Sequence, residues 1–418
     1  MRFNTLNDWL AWQETLHPKA IDLGLERVRE VAARLGLLEP KHVIISVAGT
    51  NGKGSSVAML EAILACAGLR VGAYTSPHLW RYNERIRIDR QPVHDDVLVA
   101  SFARIDAARG EISLSYFEFG TLAALDILQR AGVDVAVLEV GLGGRLDAVN
   151  IVDAECALVT GIGIDHVEWL GPDRESIGRE KAGIFRSGRP AVCSDPQPPA
   201  SLREVARVCG ATWYGLGEQF GYVRTGEVWD WWGPNLRLDG LPLPALLGPF
   251  QLQNAAGVVM ALQALGAQLP VTVQALQAGL RAARVAGRFT VVPGPFETIF
   301  DVAHNPHAAS ALAAALAARP CSGRTLAVCG MLADKDAAGV AAALAEQVQC
   351  WYLGGLTGVR GQSAQDLAAR LGLASMQRRL YPDLAAAYAA ACADARAGDR
   401  IVVFGSFHTI AELLPPGL

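Results

Sequence analysis

The sequence predicts a two-domain α/β protein with a mainly parallel sheet in a large N-terminal domain and a smaller C-terminal α/β domain. The chain has 418 residues, which corresponds to two or three domains at roughly 150 residues each. Short β-branched apolar runs alternate with longer helical stretches, as in parallel α/β architecture. Proline, glycine and tryptophan interrupt this alternation over residues 190–249, and it restarts after Gly287. We therefore expect domains at residues 1–287 and 288–418.

The N-terminal domain is predicted from strands that end in polar or glycine-rich segments. His42–Ala48 reads as a strand that leads through a glycine-rich turn into a helix near Ser55–Ala67. Asp134–Val140 and Cys156–Thr160 are two further strands, and Ser115–Arg130 is a helix that precedes them. Ligands of open α/β sheets bind beyond the carboxyl ends of the strands, so we expect a site at these strand ends.

The remaining elements predict a small β-hairpin and then a second, Rossmann-like α/β domain. Tyr222–Trp231, with Thr225-Gly226 at its centre, has the pattern of a hairpin. Two helices are expected near Leu252–Leu265 and Thr272–Ala283. The strands predicted for the C-terminal domain are Glu297–Asp301, Thr325–Cys329, Cys350–Leu353 and Ile401–Phe404.

Composition and charge argue against several classes of function. The net charge is -4, from 37 basic and 41 acidic residues, whereas nucleic-acid binding needs an excess of cations. No apolar run approaches the ~20 residues of a membrane span, and the first eight residues lack the apolar core of a signal peptide. The eight cysteines show no metal-ligand spacing. We expect a cytoplasmic protein with reduced thiols and neither a nucleic-acid nor a membrane partner.

One small basic and aromatic cluster stands out against this background. Glu84 interrupts it, so a solvated loop is favoured over a nucleic-acid patch. Its members are Trp80, Arg81, Tyr82, Arg85 and Arg87.

The strongest local motif is a glycine-rich loop between a predicted strand and a predicted helix. Its residues are Gly49, Thr50, Asn51, Gly52, Lys53, Gly54 and Ser55. Glycines let backbone N–H groups face phosphate oxygens, and the following helix presents its positive N-terminus. Lys53 can reach the β and γ phosphates and Ser55 can bind Mg²⁺. The motif predicts a P-loop ATPase-type domain, the alternative being a structural glycine turn. It departs from GxxxxGK[ST], because Val47 and Gly54 occupy the first glycine and hydroxyl positions.

Four further residues suggest a metal site, although each has a simpler interpretation. Glu139 ends a predicted strand, where it is either a cap or a magnesium ligand. Taken alone, His166 is a surface or core histidine whose hydrogen bonds are satisfied, and Ser76 is a turn residue. Lys181 is either an exposed helical lysine or, if unprotonated, a site for CO₂ uptake that creates an anionic carbamate.

Together these segments resemble the folylpolyglutamate synthases of the Mur ligase superfamily, in particular the bacterial dihydrofolate synthase/folylpolyglutamate synthase type. The resemblance extends over nearly the whole chain, and it is the joint order and spacing of its segments that make it specific. The segments are Ile21–Arg27, Gly49–Ser55, Thr75–Leu79, Glu139–Asn150, Asp165–Gly171, Lys181, Gly248–Ala256, Gly287–Phe289 and Asp301–His307.

The resemblance implies a role for each site residue. Residues that match Ser76, Glu139 and His166 bind Mg²⁺, and the lysine that matches Lys181 is carbamylated and helps to hold a second metal ion. Lys53, Lys181 and His166 are the implied catalytic residues, and His304 lies where the incoming amino acid is expected. The implied ATP contacts are the seven loop residues with Asn254, Arg288 and Asp301. The implied pterin pocket consists of Asp22, Leu23, Gly24, Leu25, Ser115, Tyr116, Phe117, Glu118, Leu146, Asp147 and Ala148. One departure is Gly161-Ile162-Gly163, where relatives tend to have an asparagine.

The implied reaction is ATP-dependent amide formation through an acyl phosphate. The expected substrates are dihydropteroate, reduced folates, L-glutamate and ATP, with Mg²⁺ as cofactor and a monomer as the active form. Two alternatives stay open at this point. Another Mur-type ligase would share the loop but would usually carry a separate domain before it, whereas here the loop begins at Gly49. A P-loop nucleotide switch would release phosphate without pterin or glutamate.

Overall fold

The computed structural model describes residues 2–19 and 21–417. Met1, Ala20 and Leu418, which the predicted domain ranges include, lie outside these residues. The chain forms two compact units, the first made of Met1–Ala245 and Leu252–Ala283, the second of Leu246–Gln251 and Arg284–Leu418. The functional domain boundary near Gly287 stays a prediction.

The first unit is built on an eight-stranded sheet with the strand order β4-β3-β2-β5-β1-β6-β7-β8. All neighbours pair in parallel except β2 with β3 and β3 with β4. The central strands are almost entirely apolar and buried, as expected for parallel strands covered on both faces. The strands are β1 Val43–Ala48, β2 Val71–Tyr74, β3 Ile86–Ile88, β4 Gln91–Pro92, β5 Val135–Glu139, β6 Cys156–Val159, β7 Pro190–Cys193 and β8 Thr212–Gly215.

Among the described residues before Gly287 there are ten α-helices, and they include the helices predicted after the glycine-rich loop and before β5. Trp9, Phe102 and Phe119 form part of an aromatic core in which each ring is fully buried, and burial of such a side chain stabilises the fold by about 1.5–3 kcal/mol. The helices are α1 Leu6–Leu16, α2 Glu26–Leu35, α3 Lys53–Cys66, α4 Asp95–Arg109, α5 Tyr116–Ala131, α6 Val167–Leu170, α7 Arg174–Lys181, α8 Ala200–Cys209, α9 Phe250–Leu265 and α10 Val273–Ala282.

A separate three-stranded antiparallel sheet contains the predicted hairpin. Its strands are β9 Gly221–Thr225, β10 Val228–Gly233 and β11 Leu236–Pro242. Thr225 pairs with Val228, so the turn consists of Gly226 and Glu227 rather than Thr225 and Gly226. Gly226 suits a position within the turn because its φ is +64°, a conformation that glycine adopts without strain.

The second unit carries a six-stranded sheet with the order β12-β13-β17-β14-β15-β16, in which only β12 is antiparallel to its neighbour. The predicted strand Thr325–Cys329 has the observed bounds, and the other three predicted strands differ by one residue at one end. The sequence missed the two edge strands. The elements are β12 Thr290–Val292, β13 Glu297–Phe300, β14 Thr325–Cys329, β15 Cys350–Gly354, β16 Arg378–Tyr381, β17 Arg400–Phe404, α11 Pro306–Ala317, α12 Ala337–Leu344, α13 Ala364–Leu371, α14 Leu384–Asp394 and α15 Phe407–Leu413.

Short 3₁₀ helices occur at Tyr82–Arg85, Ala148–Ile151, Ala182–Ile184, Gly266–Gln268 and Ser375–Gln377. Within residues 2–19 and 21–417, no helix combines the length and the apolarity needed to cross a membrane.

Candidate active site

The glycine-rich loop joins β1 to α3 through backbone conformations that only glycine adopts easily. Gly49 has φ +149°, and a Cβ there would lie 1.8 Å from Thr160 Oγ1. Gly52 has φ +97°, and a Cβ there would lie 2.6 Å from Asn254 Oδ1. These two glycines therefore permit both the turn and the close approach of Thr160 and Asn254.

The segment after β6 holds this loop through main-chain contacts. Thr50 N–H donates to the Gly161 carbonyl at 2.8 Å, and the Thr50 hydroxyl donates to the Gly163 carbonyl at 3.0 Å. In return, Thr160 Oγ1 donates to the Asn51 carbonyl at 2.8 Å. Each of these three hydrogen bonds is accepted by a main-chain carbonyl oxygen, so the contacts of Gly161 and Gly163 with the loop need no side chain at these two positions.

Lys53 is the first residue of α3, and its side chain folds back over the loop. Its Nζ donates to the Gly49 carbonyl at 3.1 Å and to the Thr50 carbonyl at 3.3 Å. The structure thus brings the predicted ATP-binding residues of the first unit together, with the buried Asn254 side chain beside Gly52. Their contact with ATP stays a prediction.

Two of the predicted metal ligands lie together at the ends of neighbouring strands. Glu139 is the last residue of β5, is 4% exposed, and pairs in register with Val47 of β1. Ser76 follows β2, the other neighbour of β5, and its N–H donates to Glu139 Oε2 at 3.4 Å. A carboxylate and a hydroxyl group from adjacent strand ends are oxygen donors of the kind that Mg²⁺ prefers.

His166 occupies a different kind of position. It precedes the short helix α6 in a left-handed conformation with φ +54°, and its side chain is 36% exposed. Its Nε2 lies 4.0 Å from Asp165 Oδ1. Within the part of the chain that the structure describes, no group of three or more His, Cys, Asp or Glu side chains is placed to hold a metal ion. The roles of Ser76, His166 and Lys181 at a metal site stay predictions.

Lys181 is buried, and its interpretation as an exposed helical lysine is wrong. It ends α7 and is 4% exposed. The Gly143-Gly144 loop approaches the backbone at this end of α7 closely, since a Cβ at Gly144 would lie 2.8 Å from the Glu180 carbonyl oxygen. Burial and, to a smaller extent, the positive charge of Lys53 lower the pKa of Lys181 to about 7, against the opposing effect of Asp165 and Asp147. Much of the amine is therefore neutral at physiological pH, which is the form that takes up CO₂.

Asp147 is a second buried titratable group near the loop. Its Oδ2 accepts from Leu142 N–H at 2.8 Å and its Oδ1 accepts from Val149 N–H at 3.0 Å. Burial raises the pKa of Asp147 to about 6, against these hydrogen bonds and the charge of Lys53. The carboxylate thus shapes the turn that carries Leu146 and Ala148, and both of its oxygens already accept a backbone hydrogen bond.

The predicted pterin segments at residues 22–25 and 115–118 are joined by a chain of ion pairs. Arg27 contacts Asp22 at 2.7 Å and Glu118 at 3.1 Å, and Asp22 also contacts His17 at 3.1 Å. Glu118 Oε2 accepts from Ser115 N–H at 2.7 Å, which caps α5. The carboxylate of Glu118, 3% exposed, thereby fixes the segment of Asp22 against the start of α5.

The two aromatic residues at the start of α5 are half-buried and packed against other rings. Phe117 lies 5.9 Å from the Tyr74 ring, and a Cβ at Gly141 would lie 2.5 Å from Phe117 Cζ. Tyr116 meets Tyr82 edge-on at 5.7 Å. The Phe117 ring therefore connects α5 to the loop that follows Glu139, the last residue of β5.

The second unit gathers its own predicted residues at the carboxyl end of β13. Asp301 Oδ2 accepts from Phe289 N–H at 2.9 Å and Oδ1 accepts from Ala303 N–H at 2.8 Å. Burial raises the pKa of Asp301, an effect that the nearby Arg288 charge opposes. His304 Nδ1 donates to the Val302 carbonyl at 2.8 Å.

Phe407 is a member of this group that sequence reasoning missed. Its ring lies 5.2 Å below the Arg288 guanidinium and 6.2 Å from the His304 ring. The sequence feature that could have indicated Phe407 is its position as an aromatic residue shortly after the predicted strand Ile401–Phe404.

Comparison with known protein families shows to which family this chain belongs. The Mur ligase middle domain matches residues 47–206, and the glutamate ligase domain of Mur ligases matches residues 287–407. The dihydrofolate synthase/folylpolyglutamate synthase of Escherichia coli (strain K12) is 50% identical over 409 residues, which cover 98% of this chain and 94% of that protein. The chain belongs to the dihydrofolate synthase/folylpolyglutamate synthase family.

Solved structures of this family have the same fold. E. coli FolC in complex with DHPP and ADP has a TM-score of 0.94 and 49% identity, covering 98% of this chain and 97% of that one. A bifunctional folylpolyglutamate synthase/dihydrofolate synthase with Mn, AMPPNP and L-glutamate bound has a TM-score of 0.92 and 48% identity, with 98% and 97% covered. The predicted family, fold class and ligase class are confirmed.

Proposed function

We propose that this chain is a cytoplasmic, monomeric ligase that uses ATP and Mg²⁺ to add L-glutamate both to dihydropteroate and to reduced folates. The arrangement of adjacent strand ends supports this proposal most: the phosphate loop follows β1, Glu139 ends the neighbouring strand β5, and Ser76, after β2, donates its N–H to Glu139. The close approach of Phe117 to Gly141, two residues after Glu139, brings the start of α5 to the same strand end. The related structures contain DHPP, ADP, AMPPNP, Mn and L-glutamate, ligands that are consistent with these substrates.

ATP is proposed to bind along the Gly49–Ser55 loop. Backbone N–H groups and the α3 N-terminus face its phosphates, and Lys53 neutralises charge on the transferring phosphoryl group. Asn254 would contact the nucleotide from beside Gly52. The residues assigned to the nucleotide from the second unit, residues 288–418 in the proposed domain division, are Arg288 and Asp301.

The metal-binding residues are proposed to be Ser76, Glu139, His166 and a carbamylated Lys181. When bound, Mg²⁺ would neutralise phosphate charge and polarise the γ phosphate. The fit rests on the adjacent oxygen donors of Ser76 and Glu139 and on the buried amine of Lys181, because a neutral lysine can accept CO₂ and a carbamate supplies anionic oxygen atoms.

The pterin is proposed to lie against the segment Asp22–Leu25, the start of α5 from Ser115 to Glu118, and the turn Leu146–Ala148. Tyr116 or Phe117 would stack on the flat ring. The ion pairs from Asp22 through Arg27 to Glu118 hold two of these segments in place before substrate arrives.

The reaction has two steps. A carboxylate oxygen of the pterin substrate attacks the γ phosphorus of ATP, the bond to the β–γ bridging oxygen breaks, and ADP leaves. The amine of L-glutamate, positioned near His304, then attacks the acyl carbon, loses a proton and expels phosphate. The chain contributes positioning and charge neutralisation, through Lys53 and Arg288 above all.

Purified protein with ATP, Mg²⁺ and L-glutamate tests this proposal when each pterin is offered separately. We expect ADP release and a product one glutamate heavier, by mass spectrometry, with dihydropteroate and with tetrahydrofolate. Extension of tetrahydrofolate alone would leave a polyglutamate synthase and refute the bifunctional claim. Phosphate release without either pterin or glutamate would indicate a nucleotide switch, and turnover only with a different acceptor would indicate another Mur-type ligase.

A further inference from the structure

The basic and aromatic cluster at residues 80–87 resolves into three arginines with different environments. Arg87 pairs with the buried Glu61 at 2.8 Å, and Arg81 is exposed and pairs with Asp95 at 3.0 Å. The expectation of one solvated loop is therefore wrong for Arg87. Arg85 is half-buried, and it differs from both neighbours in the chemistry of its partners.

Every partner of the Arg85 guanidinium is uncharged. Its Nε donates to His78 Nδ1 at 2.9 Å, which requires that nitrogen to be unprotonated. Its Cζ lies 5.3 Å from the centre of the Tyr82 ring and 5.6 Å from that of Tyr116. Over residues 2–19 and 21–417, no carboxylate lies within ion-pair distance of it.

Nearby carboxylates are already engaged elsewhere. Glu84 precedes Arg85, but its two oxygens accept the N–H groups of Leu79, Trp80 and Arg81 at 2.6–2.9 Å. These bonds close the loop that leads from Ser76 to Arg85. A half-buried cation without an anion is unfavourable by itself, so this position suits a ligand that brings the negative charge.

The position of Arg85 in the fold indicates which anion that is. Its carbonyl accepts from Thr75 N–H at 2.8 Å, which places its backbone beside Ser76 at the end of β2. Its guanidinium lies over the ring of Tyr116 at the start of α5. Arg85 therefore bridges the residues assigned to the metal and those assigned to the pterin.

We propose that Arg85 binds the carboxylate of the pterin substrate, the group that ATP will activate, and so positions it for phosphoryl transfer. The inference rests on the proposed function, and it adds a substrate-binding residue to that site. A planar guanidinium can hold both carboxylate oxygens at once, and the Tyr82 and Tyr116 rings keep it oriented. The carboxylate is the only anionic group of dihydropteroate, so Arg85 would contribute to the choice of an acidic acceptor.

The test compares two ligands on three proteins, by equilibrium binding without ATP turnover. The ligands are dihydropteroate and its carboxamide, which keeps the pterin and the shape but loses the charge. We expect Arg85→Gln to weaken binding of the carboxylate roughly 10- to 100-fold, the range for hydrogen bonds to a charged group, and to leave carboxamide binding unchanged. Arg81→Gln, in the same loop and outside the site, is the matched control and should leave both affinities unchanged.

Kinetics supply a second readout. Arg85→Gln should raise KM for dihydropteroate at least about tenfold while KM for L-glutamate is unchanged, and Arg85→Lys should restore part of the affinity because it keeps the charge. Equal weakening of both ligands in Arg85→Gln, with the fold intact by circular dichroism, would show that Arg85 only packs the pocket and would overturn the proposal. Failure of the wild-type protein to bind either ligand would instead refute the proposed function, and this inference with it.

Discussion

Replacement of Lys181 by methionine should stabilise the ligand-free protein while it abolishes activity. The amine is 4% exposed, and burial lowers its pKa from the ordinary value of 10.5 to about 7. At pH ~7.5 the folded chain holds the amine mostly neutral, whereas the unfolded chain holds it charged. Between pH ~7.5 and the unfolded pKa of 10.5, each unit corresponds to roughly 1.4 kcal/mol of unfolding free energy that the wild-type protein lacks. The free energy of unfolding should therefore rise by up to about 4 kcal/mol in Lys181→Met.

The pH dependence distinguishes this effect from a general gain in packing. Because the folded pKa lies below the unfolded one, the unfolded wild-type chain binds more protons between pH ~7 and ~10.5, and wild-type stability rises with pH across that window. The stability of Lys181→Met lacks this contribution to the pH dependence, because methionine does not titrate. The stability difference between the two proteins should therefore be largest near pH 7 and shrink as the pH rises.

Urea unfolding in buffer without metal or CO₂, at pH values of about 7, 8 and 9, measures this difference. Lys41→Met, which replaces an exposed lysine, is the control and should change stability little at any pH. A difference for Lys181→Met that does not vary with pH, or a loss of stability, would refute the assignment of a buried neutral amine. A stable fold with normal turnover would remove Lys181 from the mechanism.

The other predictions concern the same site. Lys53→Ala should leave folding intact and lower turnover by orders of magnitude in the coupled ADP-release assay, and near-normal turnover would remove the loop from the mechanism. Bicarbonate labelled with ¹³C should give a carbamate signal in the metal-bound enzyme that Lys181→Ala lacks; a bare amine in active enzyme would contradict it. Glu118→Gln should depress dihydropteroate use more than tetrahydrofolate use in steady-state kinetics, because Glu118 fixes the segment of Asp22 through Arg27; an equal loss would argue against this role. Gly52→Ala should weaken ATP binding in calorimetry, since its Cβ would meet Asn254 at 2.6 Å. Gly68→Ala shares the positive φ but has open space around it, so it should only lower stability, by about 1–3 kcal/mol.

The sequence by itself determined the parts of the protein that depend on local chemistry. The apolar runs predicted β1, β5, β6 and β14 because a strand buried on both faces is mostly apolar. The glycine spacing predicted the loop at Gly49–Ser55 because positive φ values restrict the choice of residue at Gly49 and Gly52. The edge strand Arg378–Tyr381 was missed because it is only half covered and its residues lack the pattern of a buried strand.

The tertiary structure decided the electrostatics of the site, because burial and charge depend on segments that are distant in the chain. Lys181 has the local sequence of an exposed helical lysine, yet in the fold it is 4% exposed, and the distant Gly143-Gly144 loop packs against the end of its helix. Arg85 and Arg87 are two residues apart, yet Glu61 neutralises Arg87, whereas the neutral rings of His78, Tyr82 and Tyr116 surround Arg85. No local pattern distinguishes these arginines, since the partners that define them are brought together only by the fold.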